Sequence, residues 1–293
     1  MTRPATHVVL LTRFNLPTAG KESLIRAQEG WLRERLALFE RYTIPSVRAQ
    51  TAPVSWLVYL DPESPAWLVD AMVRWQAEGL LHPVMRERVS PPDVAADLRT
   101  LAGVGAGDRV VTANLDNDDG LAGDFVARIA AADPGDPTPV AVYVSRGLIR
   151  RGDELYEVVD RFNAFCAVAE PGTSPVTCWA EWHNLMPQRM PVIEIGGGPG
   201  WLQVVHGRNV SNRVRGRRTG AGRHVDAFGG RLDGVVDPDP ADLRRERWLH
   251  RPVREGREVA RAALKRVVFA TLGKERFDAA KSSVAAASQR LMR

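Results

Sequence analysis

An apolar stretch that ends in a group of acids constrains the fold of this chain more than any other feature. Residues 110–115 read Val-Val-Thr-Ala-Asn-Leu, and Asp-Asn-Asp-Asp-Gly follows directly at 116–120. The short, β-branched start predicts a buried strand, and the acids with the glycine predict a sharp exit at its carboxyl end. Ligands of open α/β sheets collect at that edge. We therefore expect the acids to face a ligand site.

Two of these acids have a spacing that suits a metal ion. Asp116 and Asp118 lie two residues apart, so their carboxylates can converge on Mg²⁺ or Mn²⁺, which bind oxygen ligands and leave positions open for substrate phosphates. The tripeptide alone is also compatible with an ordinary acid-rich turn. An EF-hand is excluded because, counted from Asp116, the sixth residue is Leu121 and the twelfth is Ala127. The strand-end position favours the Asp-x-Asp arrangement of nucleotide-sugar-dependent glycosyltransferases.

Apolar periodicities predict alternating strands and helices over the first 130 residues or so. The predicted strands cover residues 7–12, 54–60, 81–85 and 109–115, and the predicted helices lie near 22–41, 65–78, 91–101 and 123–132. This alternation predicts a doubly wound, mainly parallel sheet, and therefore an α/β fold. No G-x-G-x-x-G follows the first strand and no Walker A sequence occurs, so the loops typical of dinucleotide and P-loop sites are excluded.

The rest of the chain has shorter predicted strands and a polar final segment. Short predicted strands begin at Val140, and residues 201–209 form a short segment that presents His206. Past Arg213 the chain is polar, with helical patterns near 242–248 and 255–272.

Composition limits the compartment and the partners. Cys166 and Cys178 form no CxxC pattern, and no apolar run approaches the roughly 20 residues of a membrane-spanning helix, so a cytoplasmic protein is expected. From Arg213 to Arg293 we count 20 basic and 10 acidic residues. A basic segment can attract anionic lipid or nucleic acid. Because no nucleic-acid-binding motif accompanies it, we expect no nucleic-acid partner.

Five separate segments resemble one known family. They are LLTRFNL, LALFERYTIPSVRAQT, WLVYLD, TANLDNDDGL and WLQVVHGRNVSN, in this order between residues 7 and 213. Together they resemble the rhamnosyltransferase family of bacterial GT-A-type glycosyltransferases. The resemblance implies a GT-A (Rossmann-like) nucleotide-sugar-binding domain at 1–213, with a nucleotide-binding half at 1–132 and an acceptor half at 133–213. Residues 214–293 would form a basic, partly helical C-terminal extension.

The resemblance also implies roles for individual residues. Asp116 and Asp118 would bind the metal that holds the donor diphosphate, His206 would complete the metal or diphosphate site, and Asp119 would orient the donor sugar or the metal shell. The positions that would meet the nucleotide are Thr12, Arg13, Asn15, Asp61, Asp116 and His183. For Asp61, a turn with Pro62 is the alternative.

An inverting transfer needs a carboxylate that accepts the proton of the acceptor hydroxyl. The candidates after the acid motif are Glu170, Glu181 and Glu194. Glu181 is the first choice because it lies between Trp179 and Trp182, a pattern that suits sugar stacking.

The resulting expectation is an enzyme that uses Mn²⁺ or Mg²⁺ and a nucleoside-diphosphate sugar, with rhamnose suggested by the family. Its acceptor would be a glycan or a lipid-linked molecule. The helical pattern around Val259 to Ala270 is basic on one side, so this tail would either pack on the domain or bring the protein to the inner membrane face. A non-catalytic carbohydrate-binding or scaffold protein on a GT-A fold is the alternative from another functional class.

Overall fold

The computed structural model describes residues 5–17, 30–206, 213–254 and 256. The strands in this part of the chain are β1 Thr6–Arg13, β2 Ser55–Leu60, β3 His82–Met85, β4 Arg109–Asn114, β5 Gly120–Leu121, β6 Val140–Val144, β7 Arg146–Arg151, β8 Glu154–Val159, β9 Ala167–Pro171, β10 Val192–Ile195, β11 Trp201–Val204 and β12 Arg217–Thr219. The helices are α1 Trp31–Leu38, α2 Ile44–Arg48, α3 Ala66–Ala77, α4 Pro91–Leu101, α5 Phe125–Ala131, α6 Val225–Phe228 and α7 Pro240–Arg245.

Seven strands form the central sheet, in the order β10-β6-β9-β4-β1-β2-β3. β1 pairs in parallel with β2 and β4, and β2 pairs in parallel with β3. β9 is antiparallel to both of its neighbours, β4 and β6. The predicted α/β fold of GT-A type, with a mainly parallel central sheet, is confirmed. The carboxyl ends of β1 to β4 therefore lie at one edge, which we call the carboxyl edge.

The first long helical region differs from the prediction at its end. The predicted helix ends near residue 41, but the helical chain continues through a wide π-helical turn at Phe39–Thr43 into α2. Pro45 lies in the first turn of α2, where a backbone N–H is not needed, so the proline is accommodated. The predicted residues 22–29 lie outside the described part of the chain.

A smaller sheet, in the order β12-β8-β7-β11-β5, packs beside the central one. Its position depends on Trp201, which is 1 % exposed, stacks on Phe165 and donates from Nε1 to the Val144 carbonyl at 2.8 Å. Gly147 allows this packing, since a Cβ there would lie 2.1 Å from the Trp201 ring. Because β11 pairs antiparallel with β5, the strand that leads to His206 runs beside the strand that follows the acids.

Part of the chain beyond residue 213 packs on this smaller sheet. β12 pairs with β8, and the buried Phe228 and Leu232 share an apolar cluster with Leu148 and Leu202. The division of the chain at residue 213 stays a prediction. The predicted tail helix, including Val259 and Ala270, lies outside the described residues.

Candidate active site

Hydrogen bonds join the loops that follow β1 and β4 at the carboxyl edge. Thr12 donates from its hydroxyl to the Leu115 carbonyl at 2.7 Å, and Asn117 donates from its side-chain amide to the Phe14 carbonyl at 2.6 Å. Both side chains are buried. These bonds fix the start of the acid loop against the end of β1, so the acids have a defined place at the edge.

The three acids differ in their exposure. Asp116 is exposed, Asp118 is 4 % exposed and Asp119 is fully buried. Asp119 accepts a hydrogen bond at Oδ1 from the Val204 N–H at 2.8 Å, whereas its buried Oδ2 has no hydrogen-bond partner among the described residues. A buried carboxylate oxygen without a partner costs free energy. Asp119 Oδ2 therefore lacks a hydrogen-bond donor or a cation among the described residues.

Arg35 and His206 contact the Asp118 carboxylate. Arg35 donates from Nη1 to the Asp118 carboxylate and to Asn117 Oδ1, the latter at 3.2 Å. His206 Nε2 lies 3.0 Å from Asp118 Oδ2. Burial acts to raise the pKa of Asp118, but the His206 hydrogen bond and the Arg35 charge outweigh it and hold that pKa below its usual range. Asp118 is therefore an anion at neutral pH.

The pKa values of the other two acids move in the opposite direction. Burial and the charge of Asp118 raise the pKa of Asp116 to about 6, and the same causes raise the pKa of Asp119 well above its ordinary value. The Asp116 side chain is exposed, so the charge of Asp118 is the more important cause of its raised pKa. Asp119 is fully buried, so burial is the more important cause of its raised pKa. Like charges held together in this way are stabilised by a bound cation.

A tryptophan from the loop after β9 lies beside the acids at the carboxyl edge. Trp179 donates from Nε1 to Asn114 Oδ1 at 2.8 Å, and the Asn114 amide donates to Asp116 Oδ1 at 3.3 Å. The Arg13 guanidinium lies 4.2 Å from the centre of the Trp179 ring. Arg13, Trp179 and Asp116 thus surround one region of the carboxyl edge.

A buried carboxylate holds the loop that carries this tryptophan. Glu170 is 1 % exposed and accepts from the backbone N–H groups of Val176 at 2.7 Å and Thr177 at 2.8 Å. Thr177 has a φ of 67°, which is an uncommon conformation for a β-branched residue. Burial raises the pKa of Glu170 to about 7. Glu170 pairs in register with Val110, at the amino end of β4, so it supports the loop from the edge opposite the acids.

The remaining nucleotide-contact candidates have varied environments. Thr12 is fully buried, and its hydroxyl also accepts from Trp56 Nε1 at 2.9 Å. Its side chain therefore holds the end of β1 in place. Asn15 accepts from the Asp61 N–H at 3.2 Å, and Asp61 accepts from the Glu63 N–H at 2.9 Å in a turn. His183 has a pKa lowered by burial, and its carbonyl accepts from the Tyr143 hydroxyl.

The other two candidate bases lie near the surface. Glu181 is partly exposed, accepts from the Trp182 N–H at 3.0 Å and lies 3.6 Å from Arg189 Nη1. Glu194 pairs with Arg161 at 2.7 Å.

Sequence reasoning missed Arg35, whose neighbours in the helix offered a signal. Trp31, Arg35 and Phe39 follow each other at intervals of four residues, so they share one helix face. Trp31 and Phe39 are buried, and the Arg35 side chain between them is 12 % exposed. A cation on an otherwise apolar face predicts a buried anionic partner.

Among the described residues, no group of three or more His, Cys, Asp or Glu side chains is arranged as a ready metal cage. The metal assignment of Asp116, Asp118 and His206 therefore stays a prediction.

Comparisons with known proteins relate this chain to one family and to two solved structures. A search of curated proteins finds no match. The inositol-1-phosphate CTP transferase from T. maritima is similar with a TM-score of 0.39 and 9% identity, over 80% of this chain and 100% of that one. A structure described as a "putative nucleotide-diphospho-sugar transferase from Desulfovibrio desulfuricans G20" has a TM-score of 0.34 and 10% identity, over 68% of this chain and 82% of that one. The profile of the family described as "Putative rhamnosyl transferase" matches residues 7–218, and the chain belongs to this family.

Proposed function

We propose that this chain is a metal-dependent hexosyltransferase that moves a sugar, with rhamnose as the first candidate, from a nucleoside diphosphate to a glycan or lipid-linked acceptor. Family membership supports transfer of a sugar. The observation that carries the proposal is the acid cluster at the carboxyl edge, in which Asp119 Oδ2 is buried without a partner among the described residues. A divalent cation would supply the missing positive charge, and the donor diphosphate would occupy the coordination positions that the acids leave open.

The donor set fits Mg²⁺ or Mn²⁺ rather than a softer metal. Asp116 offers an exposed carboxylate, and Asp118 offers a second one that Arg35 and His206 now hold in place. Magnesium commonly uses one or two carboxylates, with waters and substrate phosphates as its other ligands. The bound ion would stabilise the negative charge that develops on the leaving diphosphate. In the proposal Asp116 and Asp118 hold the ion, and His206 borders it.

Arg13 and Trp179 form the proposed nucleoside side of the cleft. Trp179 keeps its orientation through Asn114, and Arg13 lies against its face. An aromatic ring and a guanidinium plane are surfaces on which a base can stack. Asn15 and Asp61 lie in the turn beside them and remain proposed contacts to the base or ribose.

Glu181 is the proposed base that accepts the proton of the acceptor hydroxyl. It lies in the loop that carries Trp179, two residues before His183, and its neighbour Trp182 is 73% exposed. An exposed tryptophan beside a partly exposed carboxylate suits a sugar acceptor, because sugar rings pack their apolar face on aromatic rings while the acid receives the proton.

Membrane association remains part of the proposal. The described residues include no helix that is long and apolar enough to cross a membrane. Attachment at the inner membrane face through the basic tail is proposed from the sequence alone.

A panel of nucleotide sugars tests the function. The full chain is incubated with each donor and Mn²⁺, and release of nucleoside diphosphate is measured for the wild type, Asp118→Asn and the control Asp124→Asn. Asp124 lies in the same segment, but its side chain is 59% exposed. We expect one donor class to be hydrolysed slowly, with the activity lost in Asp118→Asn and kept in the control. If no donor is hydrolysed and none raises the melting temperature, the non-catalytic scaffold alternative holds.

A further inference from the structure

A second concave region lies away from the acid cluster. It is a groove of about 1200 Å³ on the smaller sheet, between β8, β12, the turn at Gly222–His224 and the segment that follows α7. We call it the arginine groove. None of its lining residues belongs to the acid cluster or to the Trp179 loop. Whatever binds here would therefore not compete directly for Asp116, Asp118 or Asp119.

The lining charges are strongly unbalanced. Among the described residues that line the groove, seven are arginines, two are carboxylates (Glu157 and Asp237) and none is a lysine. Arginine presents a planar fork of N–H donors that matches phosphate oxygens, so a lining whose cations are arginines suits a ligand that bears a phosphate or diphosphate group. The wall also contains Val158 and Leu243, which suits a ligand with an apolar part.

Some of these arginines are already paired. Arg146 pairs with Glu157 at 3.1 Å, Arg215 with Asp160 at 2.8 Å, and Arg218 with Glu154 at 3.0 Å. Arg254 pairs with Glu246. These pairs leave guanidinium donors available, because each carboxylate engages only part of the fork.

Other donors of the groove lack partners. Arg217 and Arg223 are exposed and form no ion pair with any residue that the structure describes. The buried Nε of Arg218 likewise has no acceptor within the described part of the chain. Several like charges in one concavity repel each other, and an anion relieves that repulsion while it accepts from the unused donors.

We propose that the arginine groove binds the phosphate or diphosphate group of a ligand other than the sugar donor, through Arg217, Arg223 and Arg218. The phosphate can come from two sources, a phospholipid headgroup or a soluble phosphate ester. The apolar wall accommodates the remainder of either ligand.

The test uses the full chain with EDTA present, so that metal-dependent binding at the acid cluster does not contribute. One arm measures binding of inorganic pyrophosphate by calorimetry. The other measures flotation with vesicles of phosphatidylglycerol and phosphatidylcholine, compared with phosphatidylcholine alone. The variants are Arg217→Glu/Arg223→Glu and the milder Arg217→Gln/Arg223→Gln. The matched control is Arg74→Glu/Arg99→Glu, which reverses two exposed arginines on α3 and α4.

We expect binding in at least one arm, weakened at least about tenfold by either groove double variant and unchanged in the control, because both groove variants remove two of the charged donors that would hold the phosphate. Binding of pyrophosphate assigns a soluble ligand, and binding of anionic vesicles alone assigns a lipid headgroup. Absence of binding in both arms, or equal binding by the groove and control variants, overturns the proposal. Asp118→Asn should leave this binding intact, so a failed donor site and a failed groove give different results.

Discussion

The acid cluster and the arginine groove are both concentrations of one charge, but the protein builds them differently. Asp118 and Asp119 are almost completely buried, and strands from both sheets position them. The groove arginines stand around an open concavity, and Arg217 and Arg223 are exposed. Burying like charges costs much more than displaying them to solvent. The acid cluster therefore lowers the free energy of unfolding, which a functional role would explain, whereas the groove arginines lower it little.

The largest expected effect comes from removing one charge of the buried cluster. Asp119→Asn keeps an oxygen for the Val204 N–H but removes a carboxylate that Asp116 and Asp118 repel. We expect sugar transfer to fall about 100-fold, the upper end of the loss found for outer groups of metal sites, and the melting temperature to rise. Activity assays and thermal denaturation check this, with Asp124→Asn unchanged in both. A variant that is less stable yet fully active would show that the cluster is not a strained functional site.

A second substitution separates binding from chemistry at the same cleft. Glu181→Gln removes the proposed base without touching the acids, so we expect donor binding to persist while transfer falls about 100-fold. Steady-state kinetics and nucleotide binding check the two quantities separately. Glu194→Gln is the control, because Glu194 pairs with Arg161 at the surface. Loss of transfer in Glu194→Gln instead would move the role of base to that residue.

Local sequence patterns predict those features of the fold and of the acid cluster that depend on residues close together in the chain. The strand that leads into the acids and the alternation of strands and helices in the first half follow from periodicity, and both agree with the structure. The antiparallel insertion of β9 between β4 and β6 does not, because pairing between distant strands leaves no local pattern. The placement of Trp179 and the arginine groove depend on that long-range pairing too. Arg35 differs from these features, because its position between Trp31 and Phe39 on one helix face could have been predicted from the sequence.

A third buried carboxylate, Glu170, lies opposite the amino end of β4, and its removal should have a smaller effect. The pKa of Glu170 is about 7 in the folded protein, above its ordinary 4.5. The unfolded chain therefore ionises first, so the contribution of Glu170 to stability is complete below pH 4.5 and is lost as the pH rises through 7. The upper limit is about 3 kcal/mol. Between pH 5 and pH 8, the melting temperature of the wild type should therefore fall more than that of Glu170→Gln. Equal falls would contradict the assignment.

The smallest expected effect concerns the groove. Arg217→Ala/Arg223→Ala removes two exposed side chains that pair with no described residue, so the free energy of unfolding should change by less than about 0.5 kcal/mol. Chemical denaturation measures this. A loss of several kcal/mol would show that these arginines hold the smaller sheet together, and the contrast with the acid cluster would disappear.

Binding of a nucleoside diphosphate, measured by calorimetry with Mn²⁺ and then with EDTA, tests the central claim most directly. The wild type and Asp124→Asn should bind at least about tenfold more tightly with the metal, because carboxylates and diphosphate oxygens share it. Asp118→Asn, confirmed as folded by its melting temperature, should bind equally weakly in both conditions. Equal affinity of the wild type with and without metal, or an unchanged metal dependence in Asp118→Asn, would contradict the assignment of the acid cluster as a metal-dependent nucleotide-sugar site.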